Sequence, residues 1–262
     1  MATRAARTPS TLTAYVLHRY DWSETSLILD LFTREQGRLA VAAKGAKRPY
    51  SQLRSVLLPF QRIHVALGRV PKTDNPDENA REMQNLRSAE WAGGAAMLTG
   101  AALFSGFYLN ELLMKLTARH DPHPALFDVY AQTLPGLTST DETQVQSSLR
   151  AFELALLKQI GLLPDLSLVS LTLEPVDGAG RYGLLPDAGV GAARGSDAEL
   201  GGATLIGLQA ALDHGSLAAL QQACAPALPE LKTILRGLLH YHLGSPVLRT
   251  RQVMLDVQAL ER

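Results

Sequence analysis

The chain has 262 residues, 46% hydrophobic and 19% charged, with 25 basic and 25 acidic side chains and therefore no formal net charge. This balance suits one large or two modest globular domains with a true core and excludes a disordered or fibrous chain. No apolar run reaches the roughly 18 residues needed to span a bilayer, and one cysteine, Cys224, excludes an internal disulfide and fits a reducing cytoplasm.

Residues 1–10 hold two arginines without an apolar stretch behind them, so they read as a flexible tail and not as a secretory signal. "TLTAYVLHRY" (11–20) alternates and is rich in β-formers, which predicts a strand. "DWSE" turns the chain into a second strand at 25–33, and "REQG" turns it into a third at 38–47. Turns this short predict an antiparallel meander. "RPYSQLRS" reads as a linker or a single helical turn. A fourth strand is expected at 56–68, with Pro59 marking an edge or bulge near its start. A fifth is expected within 80–91. Five short strands closing on themselves predict a small barrel of the OB type over 11–90.

Beyond Trp91 the periodicity becomes helical. Helices are expected at 93–119, from 121 to 137, and at 140–161, the last with Thr140 or Asp141 as N-cap and Gly161 as its stop. Residues 162–202 are rich in Gly and Pro and read as an irregular insertion. Helices resume near 204–213, 216–223, 227–243 and 249–258. The expected fold class is α+β: a five-stranded antiparallel OB-fold barrel, then an α-helical domain over 91–262.

The neutral total hides a polarity. Residues 1–72 carry twelve Lys/Arg against four acids, so the remainder carries the opposite excess. Between Arg34 and Arg54 stand six cations and one acid, Glu35. A basic module joined to an acidic one points to a polyanionic partner for the first module. Candidate contacts are Lys44, Gly45, Lys47, Arg48 and Arg54, with Tyr50 as a stacking face and Arg34 and Arg38 extending the groove from the hairpin turn. Cations with an aromatic are how such barrels hold single strands. The competing reading packs Tyr50 on the barrel and leaves the arginines as solubilising charge. Arg249 and Arg251 form a second basic spot.

Catalytic patterns are missing. "AGVGAARG" (188–195) lacks the strand, helix and glycine spacing of a dinucleotide loop, and no phosphate-binding G-x-x-x-x-G-K-[ST] occurs. The histidines do not converge, and without paired cysteines a structural zinc site has no support. Cys224 reads as a buried inert thiol. Glu111 and Glu153 sit in apolar helices, where faces or interhelical bonds explain them more simply than acid–base chemistry.

Several ordered motifs carry a resemblance: "YDWSETSLILDLFTREQGRLAVAAKGAKRPYS", "LLPFQRIHVALG", "YLNELLMKL" with "DPHPALFDVY", "LRAFELALLKQIG" and "HYHLGSPVLRTR". Over about residues 12–255 the chain resembles the RecO family of DNA repair and recombination mediators. The resemblance implies an OB-fold and a helical domain, binding of single- and double-stranded DNA, and ATP-independent annealing. It also implies association with RecR and single-stranded DNA-binding protein, and help in loading the recombinase RecA. Many members carry four zinc-binding cysteines after the motif reading "FELALLKQIGLLPDL" here. The segment that follows in this chain holds none, so neither zinc nor another cofactor is carried over. For the acidic, hydrophobic tail of single-stranded DNA-binding protein, the expected dock is a stripe of Tyr108, Lys115 and Arg119, at i, i+7 and i+11 on one helix. The expected site in the cell is the cytoplasm, at the nucleoid. Two other readings stand beside this one: an RNA-binding OB-fold factor, which competition binding would separate, and a hydrolase or transferase using Glu111, Glu153 or a histidine.

Overall fold

The computed structural model describes residues 11–68, 83–94, 97–192, 198–244, 248–250, 252, 253 and 256. The expected tail at 1–10, Arg251 and most of the helix expected at 249–258 lie outside them. The chain divides into two compact units: 1–97 with 117–127, and 98–116 with 128–262.

The first unit is a closed barrel of β1 (Thr11–Asp21), β2 (Leu27–Thr33), β3 (Gly37–Ala43), β4 (Arg62–Leu67) and β5 (Gln84–Trp91), in the order β1-β2-β3-β5-β4. Alternate residues fill it: Leu12, Ala14 and Val16 from β1, Leu29 and Leu31 from β2, Leu39 and Val41 from β3, Ile63 and Val65 from β4. A short helical turn, α1 (Leu53–Val56), packs Leu53 and Val56 onto the same core. Four strand pairs are antiparallel, but β3 and β5 pair in parallel through Val41↔Gln84 and Ala42↔Asn85. The wholly antiparallel barrel is corrected on this point. A closed ring with an odd number of strands cannot alternate direction throughout, so at least one pair must be parallel.

Gly37 has φ +69°, and a side chain there would collide with the backbone carbonyl of Asp121. Residues 117–127 lie against this end of the barrel, where the Phe127 ring sits 5.3 Å from Tyr15 and 5.4 Å from Phe32.

The second unit is helical: α2 (Gly100–Leu116), α3 (Pro124–Gly136, of which 128–136 belong here), α4 (Glu142–Gln159), α5 (Gly202–His214), α6 (Leu217–Cys224) and α7 (Leu228–Leu243). Helix α4 is its centre, buried continuously from Ser147 to Leu157 and packed on α6 and α7. Asp141 caps it by accepting from the Thr143 N–H at 2.9 Å, which satisfies one of the orphan donors of the first turn. Gly161, at φ +73°, follows its end.

Residues 162–202 are not irregular throughout. They hold a small sheet of β6 (Arg181–Leu185), β7 (Gly189–Gly191) and β8 (Leu200–Gly201), ordered β7-β6-β8. Leu166, Val176, Leu184, Val190 and Leu200 are buried there. Strands of five, three and two residues set among glycines leave too short an alternation to register as β from sequence.

Candidate nucleic-acid interface

The basic stretch leaves β3 at Ala43 and runs to α1. Gly45 turns it with φ +72°, a conformation that favours glycine. The Arg48 side chain lies across the face where a Gly45 side chain would be. Three further bonds tighten the loop: Arg48 N–H to Gly45 O at 3.1 Å, Ser51 N–H to Arg48 O at 3.0 Å, and Arg54 N–H to Ser51 O at 3.2 Å. The result is a compact platform with Lys44, Arg48 and Arg54 exposed. Tyr50 is 98% exposed, so it does not pack on the barrel.

Lys47 differs from these three. Its N–H donates to Thr25 O at 2.9 Å, and its ammonium donates to Ser23 O at 3.0 Å and pairs with Asp21 at 3.1 Å. Lys47 therefore clips the β1–β2 turn to the basic loop.

Arg38 also has its partners within the chain. It is buried, with Nε and Nη2 donating to the Asp30 carboxylate at 3.2 and 3.0 Å and Nη1 donating to Thr117 O at 2.7 Å. Nε, Nη1 and Nη2 thus each donate within the barrel unit. Arg34 is exposed but occupies the β2–β3 turn, at the far end of β2 from the basic loop. The seven residues of β2 separate the two ends by roughly 20 Å. The stretch that is continuous in sequence is thus divided in space.

Sequence reasoning missed the neighbours of the basic loop. Tyr20 and Trp22 are 47% and 51% exposed, and the rings of His18 and Tyr20 meet edge-on at 4.4 Å. A usable signal was the spacing 18, 20, 22, three ring-bearing residues at the period of a strand.

The helical unit carries a cavity of about 310 Å³, lined by Phe104, Tyr108, Leu149 and Leu239, with Arg150, Lys232 and Arg236 among its cations. Tyr108 donates to Glu153 Oε1 at 2.6 Å, and Arg150 pairs with the same oxygen at 2.8 Å. Burial pushes the Glu153 carboxyl up from its ordinary value despite the nearby guanidinium. Burial and the Glu153 carboxylate push the Tyr108 phenol well above its own, so it stays a neutral donor.

Lys115 reaches back one turn to Glu111 at 3.2 Å. Burial raises the Glu111 carboxyl, but bonds from Thr250 and from the Arg249 N–H outweigh this and hold it below the ordinary carboxylate range. Glu111 therefore caps the start of the last described helical segment, accepting from the N–H groups of Arg249 and Thr250, both at 2.9 Å. The side chain of Arg249 is exposed. Arg119 does not share the stripe: α2 ends at Leu116, and Arg119 belongs to the barrel unit, its guanidinium 4.0 Å from Asp30. The Cys224 thiol is buried and pushed up to about 12 by desolvation, so it is a poor nucleophile. Among the described residues, no three His, Cys, Asp or Glu side chains gather as a metal site, and no helix is long and apolar enough to cross a membrane.

A five-stranded barrel with a tight cationic loop at one mouth, followed by a helical unit, defines an OB-type protein. The pattern described as "Recombination protein O N terminal" matches residues 8–94, and that described as "Recombination protein O C terminal" matches 97–252. The chain belongs to the RecO family of DNA repair proteins. It is 52% identical over 249 residues to the DNA repair protein RecO of Polaromonas sp. (strain JS666 / ATCC BAA-500), covering 94% of this chain and 96% of that one. It is 53% identical to the protein of that name from Polaromonas naphthalenivorans (strain CJ2), with the same coverage. Against that of Acidovorax ebreus (strain TPSY) the identity is 49% over 269 residues, covering 98% of this chain and all of the relative.

Proposed function

We propose that this chain is a non-enzymatic mediator of recombinational repair. It binds single- and double-stranded DNA through the basic loop, anneals complementary strands, and helps load the recombinase onto DNA coated by single-stranded DNA-binding protein. It works in the cytoplasm at the nucleoid. The observation that carries the reading is the exposed set Lys44, Arg48 and Arg54 on one rigid loop, which suits phosphates without reading bases. Annealing brings two polyanions together, and fixed cations lower their repulsion while leaving the pairing edges free. Arg249 adds a cation on the helical unit. RecR is a partner inferred from family membership.

Binding should be sequence-tolerant and salt-sensitive. With about five phosphates neutralised on a single strand, log K falls against log salt with a slope of about −3.5. The variant Lys44→Glu/Arg48→Glu/Arg54→Glu should weaken binding to all sequences alike and make the slope shallower by about 2. Unchanged affinity in that variant rejects the loop as the DNA site. A preference for RNA in competition favours the RNA-binding alternative.

For the tail of single-stranded DNA-binding protein, the cavity beside Tyr108 supports docking better than the stripe read from sequence. Phe104, Leu149 and Leu239 offer an apolar bed, and Lys232 and Arg236 offer charge for a terminal carboxylate. Lys232→Ala/Arg236→Ala should weaken a tail peptide by about tenfold or more in titration, whereas Lys115→Ala, which removes a cation already paired with Glu111, should change it little. The reverse ranking returns the dock to the stripe.

A further inference from the structure

We propose that Tyr20 and Trp22 form a base-stacking step beside the basic loop, which takes unpaired nucleobases and gives the barrel its preference for single strands over duplex. This deepens the DNA-binding reading and rests on it.

The step is a consequence of the β1 bulge. Up to Val16, the even positions of β1 point into the barrel. The register with β2 then shifts between Val16 and His18, and one inserted residue exchanges the faces of everything after it. Tyr20 stands opposite Ile28, and Ile28 opposite Ala42, in a row across three strands. Ile28 lies between Leu29, in the barrel core, and Leu27, packed against that core, so this row is on the outer face. His18, on the same face, holds the Tyr20 ring edge-on at 4.4 Å. A lone exposed aromatic needs no explanation. Here two large rings, about half exposed, follow each other at strand period beside a cationic loop.

The second ring is presented by a braced turn. Trp22 N–H donates to Ser26 O at 3.2 Å, and Ser23 N–H donates to the same oxygen at 3.3 Å. Lys47 then ties this turn to the basic loop through Thr25 O, Ser23 O and Asp21. Carried one step past Tyr20–Ile28–Ala42 on the outer face, the register brings Trp22, Ser26 and Lys44 into one row. Gly45 N–H confirms the closeness by reaching Ser26 Oγ at 3.4 Å. Two strand spacings, roughly 10 Å, then separate the Trp22 and Lys44 backbones. A phosphate on Lys44 or Arg48 can therefore belong to a nucleotide whose base, or whose neighbour's base, rests on the indole.

The chemistry selects the occupant. Every base has a π-face, so stacking tolerates any sequence. In a duplex that face is covered by the next base pair, so only an unpaired base can use the step. Phosphate contacts are common to both forms of DNA, and the rings add affinity for one of them. Stacking also leaves the hydrogen-bonding edge of the base uncovered, as strand annealing requires.

The test uses the full chain with Trp91→Phe, which leaves Trp22 as the only indole of two. A mixed-sequence single-stranded oligonucleotide should quench its fluorescence, and the duplex of the same sequence should quench it far less. Trp22→Ala should weaken single-strand binding by about tenfold and shrink the single-strand preference by the same factor, with the salt slope unchanged. Trp22→Phe should restore most of the loss. Equal quenching by both forms, or a Trp22→Ala protein with its single-strand preference intact, overturns the stacking step while leaving the DNA-binding reading in place. A wild-type protein that binds neither form overturns both.

Discussion

Replacing Arg38 with alanine should cost the barrel unit about 3–5 kcal/mol of stability, the loss expected when one partner of a buried ion pair is removed. Asp30 is 3% exposed and takes two hydrogen bonds from Arg38. Without them a carboxylate is left in the outer layer of β2, and the bond from Arg38 to the Thr117 carbonyl is lost as well. Arg119, 4.0 Å from Asp30, lies too far out to replace a bidentate contact. Both tryptophans, Trp22 and Trp91, lie in the barrel unit, so intrinsic fluorescence during urea unfolding reports on it selectively. The paired change Arg38→Met/Asp30→Leu should recover most of the loss, because an apolar pair of similar size needs no counter-charge. At temperatures where Arg38→Ala remains folded, its DNA affinity should match that of wild type. A fully stable Arg38→Ala protein that fails to bind DNA would instead make this arginine a phosphate ligand.

Arg38 also shows where sequence stops being informative. Its charge and its place beside the hairpin turn put it in the basic stretch. What alternation cannot show is that 117–127 returns to cover that end of the outer face, with Phe127 on Tyr15 and Phe32. The cover comes from residues some eighty positions away, and it turns an exposed arginine into a buried one. The contacts of Lys47 were hidden for a different reason. Asp21 and Ser23 are close in sequence to a turn that was read correctly, but pairing that turn with the next loop needs the β2–β3 register. The five strands and the principal helices were legible because period-2 and period-3.6 patterns are local. The parallel β3–β5 pair was in principle legible too, from the parity of a five-membered ring. Arg119 was misplaced by a helix boundary alone: extending α2 three residues past Leu116 manufactures a stripe that the chain does not form. The cavity beside Tyr108 could not be read at all, since its lining comes from α2, α4, α7 and residues after them.

Replacing Arg150 with alanine should cost the helical unit about 3–5 kcal/mol, again the loss expected when one partner of a buried ion pair is removed. Glu153 is fully buried at the centre of α4, and its partners are Arg150 at 2.8 Å and the Tyr108 hydroxyl at 2.6 Å. Glu153 Oε2 and Arg150 Nε have no hydrogen-bond partner among the described residues, so the cluster is only partly satisfied before any mutation. Removing the guanidinium leaves the carboxylate with the phenol alone. Glu153→Gln should cost less, because the amide oxygen can still accept from Tyr108 and no buried anion remains. The pH dependence separates charge from packing. Burial raises the Glu153 carboxyl above its unfolded value, so the folded state binds this proton more readily than the unfolded state does. The group's favourable contribution is complete below the unfolded value and is lost as pH rises through the raised one. Relative to Glu153→Gln, wild type should therefore gain stability as pH falls from neutral into the acid range. Far-ultraviolet circular dichroism follows the helices during unfolding, and the quantity to compare is the difference between the two proteins at each pH, which cancels the titration of every other carboxylate. A difference that is flat with pH would mean that Arg150 and Tyr108 just offset the burial of Glu153, and one that moves against wild type on acidification would mean that they more than offset it.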